Sequence, residues 1–130
     1  MIGIDTNVLI RYMERDDEAQ ARLADALLES LTVQEPGLVT HVVLAELWWV
    51  LSSRYKRTKP EIIERLTWLI DVQTVAFQDP DLVRNALSAA SAGADFADAL
   101  IESVNRSLGC EQTVTFDKTA AKRAGMALLR

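Results

Sequence analysis

The chain has 130 residues, 49% hydrophobic and 25% charged, with 14 Lys and Arg against 19 Asp and Glu and a formal charge of −5. That length and mix predict one soluble domain, 1–130, with an ordinary hydrophobic core. They argue against a general basic nucleic-acid-binding surface; the single cysteine, Cys110, excludes an internal disulfide or a cysteine-rich zinc site; and the longest apolar run, Val42 to Leu51, is broken by Glu46, so no membrane span or membrane partner is expected. Asp5 and Asn7 interrupt the first apolar stretch, so no signal peptide is expected, and the reducing cytoplasm is the expected compartment.

Met1 to Ile4 is a short apolar run ending at Asp5, suited to a buried strand, and Thr6 to Met13 follows as a helix. Asp17 is placed to cap a second helix whose buried stripe is Ala21, Leu23, Ala24, Leu27, Leu28 and Leu31. Pro36 and Gly37 punctuate the chain before a strand at Leu38 to Thr40. Val42 to Ser53 is a helix apolar around most of its circumference, hence expected to be substantially buried. Arg54 to Lys59 is a basic connection, and Pro60 suits the first turn of a helix reaching Ile70. Thr74 to Phe77 reads as a third strand, and Asp79-Pro80 starts a helix that Gly93 ends. A helix from Asp95 to Leu108 stops at Gly109, Gln112 to Phe116 is a fourth strand, and Asp117 opens a short helix. Gly125 separates that helix from a terminal strand at Met126 to Leu129. This alternation predicts an α/β fold, a short parallel sheet of four or five strands with helices on both faces. Such sheets bind ligands beyond the carboxyl ends of their strands, where Asp5 and Asp117 stand.

Each acid has a plain structural explanation. Asp5 suits a helix N-cap, and Glu46 could reach solvent from the one polar stripe of its helix. An ionised carboxylate among Val42, Val43, Leu44, Leu47, Trp48 and Trp49 is nevertheless costly unless paired or bound to a metal. Asp95 and Asp98, three apart at a helix start, share one face and could hold one cation; the alternative makes them an acidic capping box. Asp117, after Thr113-Val114-Thr115-Phe116, repeats the pattern of Asp5. Five acids at one end of a parallel sheet are less easily explained singly, and carboxylates with no Cys and almost no His select hard cations such as Mg²⁺ or Mn²⁺.

Asp5-Thr6-Asn7 after a terminal strand, Glu46 in an apolar helix, Asp95-Phe96-Ala97-Asp98-Ala99-Leu100-Ile101 and Thr115-Phe116-Asp117-Lys118 occur in that order. Together they resemble the PIN domain, most closely the VapC-type toxins of toxin–antitoxin pairs, over essentially the whole chain. The resemblance implies a three-layer fold and an acidic pocket in which Asp5, Glu46, Asp98 and Asp117 bind metal and Asp95 supports them. It implies that Asn7 and Thr115 orient the acids or the attacking water. It also implies an endoribonuclease, usually a homodimer, silenced by a cognate antitoxin protein.

The mechanism expected on that basis is metal-assisted hydrolysis of an RNA phosphodiester, with the cation acidifying water and offsetting transition-state charge. No nucleophilic residue is needed: Cys110 has no obvious partner and His41 is the only histidine. Arg54, Lys56, Arg57 and Lys59 form the one concentrated basic patch and are candidate RNA contacts, or else cations on a solvated connection near a helix end. Trp48, Trp49 and Trp68 read as core or dimer-interface residues. The competing readings are a catalytically silent PIN-like module that binds RNA or a partner, and a phosphotransfer domain. The second is disfavoured because Asp5-Thr6-Asn7 lacks the acid two positions on that many phosphatases use.

Overall fold

In the computed structural model, which describes residues 1–130, the first apolar run becomes strand β1 (Ile2–Gly3). After it come α1 (Thr6–Glu14), α2 (Glu18–Ser30), β2 (Gly37–Val39), α3 (His41–Ser53), α4 (Lys59–Ile70) and β3 (Val75–Phe77). The remainder is α5 (Pro80–Ser91), α6 (Phe96–Ser107), β4 (Val114–Thr115), α7 (Lys118–Arg123) and β5 (Ala127–Leu128). The chain divides into two compact units, Met1–Gln78 and Asp79–Arg130. No helix is long and apolar enough to cross a membrane.

In the first unit β2 is the middle strand of a parallel sheet ordered β1-β2-β3, with Ile2 opposite Gly37 and Val39 opposite Phe77. Parallel pairing needs crossovers, which the helices supply. Leu9 and Ile10 of α1, Leu44, Leu47 and Leu51 of α3, and Ile62, Leu66 and Leu69 of α4 are buried with Val39. Gly37 is fixed by space: a methyl there would collide with Ile4 Cδ1 and come within 3.0 Å of Leu31 Cδ1. Local sequence sets the helix starts. Asp17 accepts from Gln20 N at 3.0 Å, and Thr58 and Glu61 complete a reciprocal capping box, which satisfies amides the helix leaves open.

Three expectations change here. The first run is not a buried strand: Ile2 and Gly3 are exposed, and only Ile4 after them is inside. Leu23 leaves the buried stripe of α2 and is exposed, whereas Ala21 and Ala24 stay inside. α3 is not buried all round: Leu44, Leu47 and Leu51 form its inner face, while Val42 and Trp49 stand exposed. Spacings of three and four suffice for one buried stripe, so the apolar residues beyond it have no core to enter.

The connection after α3 is anchored by an acid far away in sequence. The Glu14 side chain is 2% exposed and receives Arg57 through Nε at 3.0 Å and Nη2 at 2.5 Å, as well as Arg65 Nη1. Nearby, Tyr55 OH donates to Asp16 at 2.7 Å. Hydrogen bonds from Arg57, and then from Arg65, hold the Glu14 carboxyl below its ordinary value against a burial that would raise it.

In the second unit α5 packs on α6, with Val83, Ala86, Leu87 and Ala90 buried from one helix and Phe96, Ala99 and Leu100 from the other. Gly93 and Gly109 end these helices with φ of 117° and 98°, backbone that a side chain rarely adopts. β4 and β5 pair in parallel, Val114 opposite Ala127 and Thr115 opposite Leu128. The expected sheet of four or five strands is therefore a three-stranded sheet plus a separate pair. Each of the five strands is only two or three residues long, so an edge offers few amides and carbonyls to a further strand.

Candidate active site

Asp5 lies just past β1, at the N-cap of α1, in extended backbone, yet its side chain accepts no capping hydrogen bond. An Asp in that position usually satisfies an open amide of the first turn. Here the carboxylate is exposed and uncommitted. Thr6, the first residue of α1, is 2% exposed, and its Oγ1 is buried without a hydrogen-bond partner. Asn7 is exposed and lines a hollow of about 380 Å³ with Val8, Arg11, Gln20 and Leu23. Glu46 is exposed on the same α3 surface as Val42 and Trp49. The buried, costly carboxylate expected from its neighbours is not found; its exposure matches the plainer expectation of a side chain reaching solvent.

Three of the acids lie in the second unit. Asp95 caps α6 by accepting from Asp98 N at 2.9 Å. The return bond of a capping box, from Asp95 N to the Asp98 carboxylate, is absent, in contrast to the complete Thr58–Glu61 pair. Asp is one methylene shorter than Glu, which leaves the Asp98 carboxylate uncommitted. Asp117 donates its amide to Thr115 Oγ1 at 3.0 Å and accepts from Thr119 N at 2.8 Å and Ala120 N at 3.1 Å, so it caps α7. Thr115 thereby fixes the bend that leads into Asp117.

Electrostatics single out Asp98. It is half-buried, and desolvation first, then the charges of Asp95 and Asp117, push its carboxyl above the ordinary value. An environment that disfavours a negative charge with no donor to offset it is one a cation would relieve. The available ligands are oxygen donors, the chemistry of Mg²⁺ or Mn²⁺ rather than of zinc. Asp95, Asp98 and Asp117 interact through their charges, but no group of three or more His, Cys, Asp or Glu side chains is drawn close enough to hold a metal ion. A concavity of about 990 Å³ in the first unit, lined by Tyr12, Met13, Leu28, Trp68 and Leu69, includes none of the candidate carboxylates.

The chain matches the model of the PIN domain over residues 2–126. It belongs to the PIN-domain family. PIN domains are generally nucleases, and their nucleases generally use divalent metal ions. No curated protein matches the chain. The family match spans both units and includes every candidate carboxylate.

The candidate RNA patch is only partly available. Arg57 is committed to Glu14, and Lys59 is engaged as well; Arg54 and Lys56 are exposed. His41 uses its ring Nε2 at 2.8 Å from the Gln78 carbonyl, so it is anchored to the backbone following β3. Cys110 is exposed and free. Trp68 stacks on Tyr12 with ring centroids 6.0 Å apart. Sequence reasoning passed over Thr6, whose buried hydroxyl has no sequence signal, and Lys118, Lys122 and Arg123. Their clustering was visible in Lys118-Thr119-Ala120-Ala121-Lys122-Arg123.

Proposed function

We propose that this PIN domain, taken as one domain over 1–130, is a Mg²⁺- or Mn²⁺-dependent endoribonuclease and the VapC-type toxin of a toxin–antitoxin pair. On this reading it is a cytoplasmic homodimer with RNA as substrate and a cognate antitoxin as partner. The observation that carries the catalytic part is the Asp98 carboxyl, half-buried, without a donor and raised by burial, Asp95 and Asp117. Asp5, Glu46, Asp98 and Asp117 are the assigned metal ligands, with Asp95 completing the set. When bound, the divalent cation would acidify the attacking water and offset charge on the phosphodiester. Thr115 positions Asp117 through its backbone, and Asn7 is assigned to orient Asp5 or the water. Asp5, exposed and uncommitted, is free to ligate without first breaking a cap.

Cleavage of total cellular RNA by the purified chain, with Mg²⁺, Mn²⁺ or EDTA and alongside Asp98→Asn, tests this directly. Discrete fragments that need both metal and Asp98 support it. A second reading, a PIN domain that binds RNA or a partner without cutting, draws on the absence of any three gathered acids. Lack of cleavage by well-folded, antitoxin-free protein in both metals would select that one.

A further inference from the structure

Phe116 is 80% exposed, more than any other large hydrophobic residue. Its backbone is held on both sides. Leu129 N donates to the Thr115 carbonyl at 2.7 Å, and Asp117 N to Thr115 Oγ1 at 3.0 Å. The β4–β5 register sets it beside exposed Leu129 on the face that carries Val114. An aromatic ring left bare in water between hydrogen-bonded neighbours, one residue before a candidate metal ligand, invites a flat apolar partner.

The cations around it define that partner. Lys118, Lys122 and Arg123 of α7 are exposed, and no carboxylate pairs with any of them. Lys118 and Lys122, four apart, share a helix face. The Arg123 side chain lies along Gly93, where an added Cβ would meet its Nη1 at 3.7 Å, beside the turn that leads into Asp95. After Asp117 the chain carries four cations and no acid. Residues 1–78 hold twelve acids against eight bases, and residues 79–130 seven against six. The net acidity that argues against nucleic acid is thus mainly a property of the first unit. A second copy packed through this same face would bring like charges together, whereas a polyanion would not.

We infer that Phe116, Lys118, Lys122 and Arg123 form the RNA-contacting platform, an unpaired base stacking on Phe116 while flanking phosphates lie against the three cations. Bases of any identity stack on an aromatic ring, and cations track the backbone, so the platform selects unpaired nucleotides rather than a sequence. This deepens the nuclease reading and rests on it for the proximity of a scissile bond.

The test is binding of a short single-stranded oligoribonucleotide containing 2-aminopurine, whose fluorescence falls on stacking, to the full chain carrying Asp98→Asn. Phe116→Leu is expected to weaken binding about tenfold or more and to abolish the quench, while Phe116→Trp keeps both. Lys122→Gln combined with Arg123→Gln should keep the quench and lower the slope of log K against log salt by about 0.7 for each phosphate no longer neutralised. The platform is overturned by a Phe116→Leu variant that binds and quenches like its parent, by charge variants with an unchanged slope, or by a Phe116→Leu effect traced to altered oligomeric state. Cleavage by the unsubstituted chain, run alongside, separates the two ideas. Cleavage together with binding indifferent to these residues overturns the platform alone; binding with these signatures and no cleavage in either metal supports the platform and removes the nuclease.

Discussion

Replacing Glu14 by Gln would remove the charge that two arginines share while keeping the side chain's size. The carboxylate is 2% exposed, takes a two-pronged contact from Arg57 at 3.0 and 2.5 Å, and is reached by Arg65 as well. Removing one partner of a buried ion pair typically costs about 3–5 kcal/mol. The Arg57 and Arg65 side chains retain 36% and 27% exposure and can turn partly to solvent, which favours the lower end, about 3 kcal/mol. At about 2.1 cal/mol/K of unfolding entropy per residue, a single transition of the whole chain would drop by roughly 11 °C. Since Arg57 and Arg65 hold the folded carboxyl below its ordinary value of 4.5, Glu14's contribution is complete above that pH and is lost as pH falls through the lowered value. Thermal melts followed by circular dichroism should therefore show a wide gap between wild type and Glu14→Gln at pH 7 that narrows well below pH 4.5. A drop under about 4 °C at pH 7, or one that stays the same down to pH 3, would refute the reasoning.

Asp98→Asn is expected to raise the melting temperature of the metal-free protein at pH 7 by roughly 2 °C, from about 0.5 kcal/mol as the burial of a charge, and then its repulsion by Asp95 and Asp117, are relieved. Because the folded Asp98 carboxyl is raised, the metal-free wild type should lose stability relative to the variant as pH climbs from 3.8 through the raised value; the difference between their melts across that window checks the sign. Added Mg²⁺ should stabilise the wild type and leave the variant nearly unchanged in the same melts. Thr58→Ala, which removes one half of the complete capping box, should cost about 1 kcal/mol in urea unfolding. Gly37→Ala forces a methyl against the buried Ile4 and Leu31 side chains and should cost about 1–3 kcal/mol by the same measurement; a neutral result would mean that those side chains turn aside freely.

Much of this architecture is written locally. The strand ending at Ile4, the caps at Asp17 and Asp117, Pro60 in the first turn of α4, and Gly93 and Gly109 as stops follow from neighbouring residues and appear within a residue or two of where periodicity places them. What fails is long-range. The apolar composition of α3 says that a core is near, not which side it lies on, so Glu46 reads as buried until Leu44, Leu47 and Leu51 are seen to face inward together. Arg57 reads as a free cation because its partner, Glu14, is 43 residues away. The half-formed box at Asp95 and Asp98 turns on the length of one side chain, and the sequence left both the cap and the metal open. The order of the five acids was legible throughout, and it is the order the family match now spans.

The uneven spread of charge has a practical consequence at the bench. A protein of net charge −5 should repel bulk nucleic acid at neutral pH and be held by anion-exchange resin among the acidic proteins of a lysate. RNA binds such a resin on its own account, so gel filtration is the informative column: RNA that stays with the protein there is held against the average field. Its release by moderate salt would mark a local grip by a few cations, whereas release by chelator alone would mark retention through bound metal.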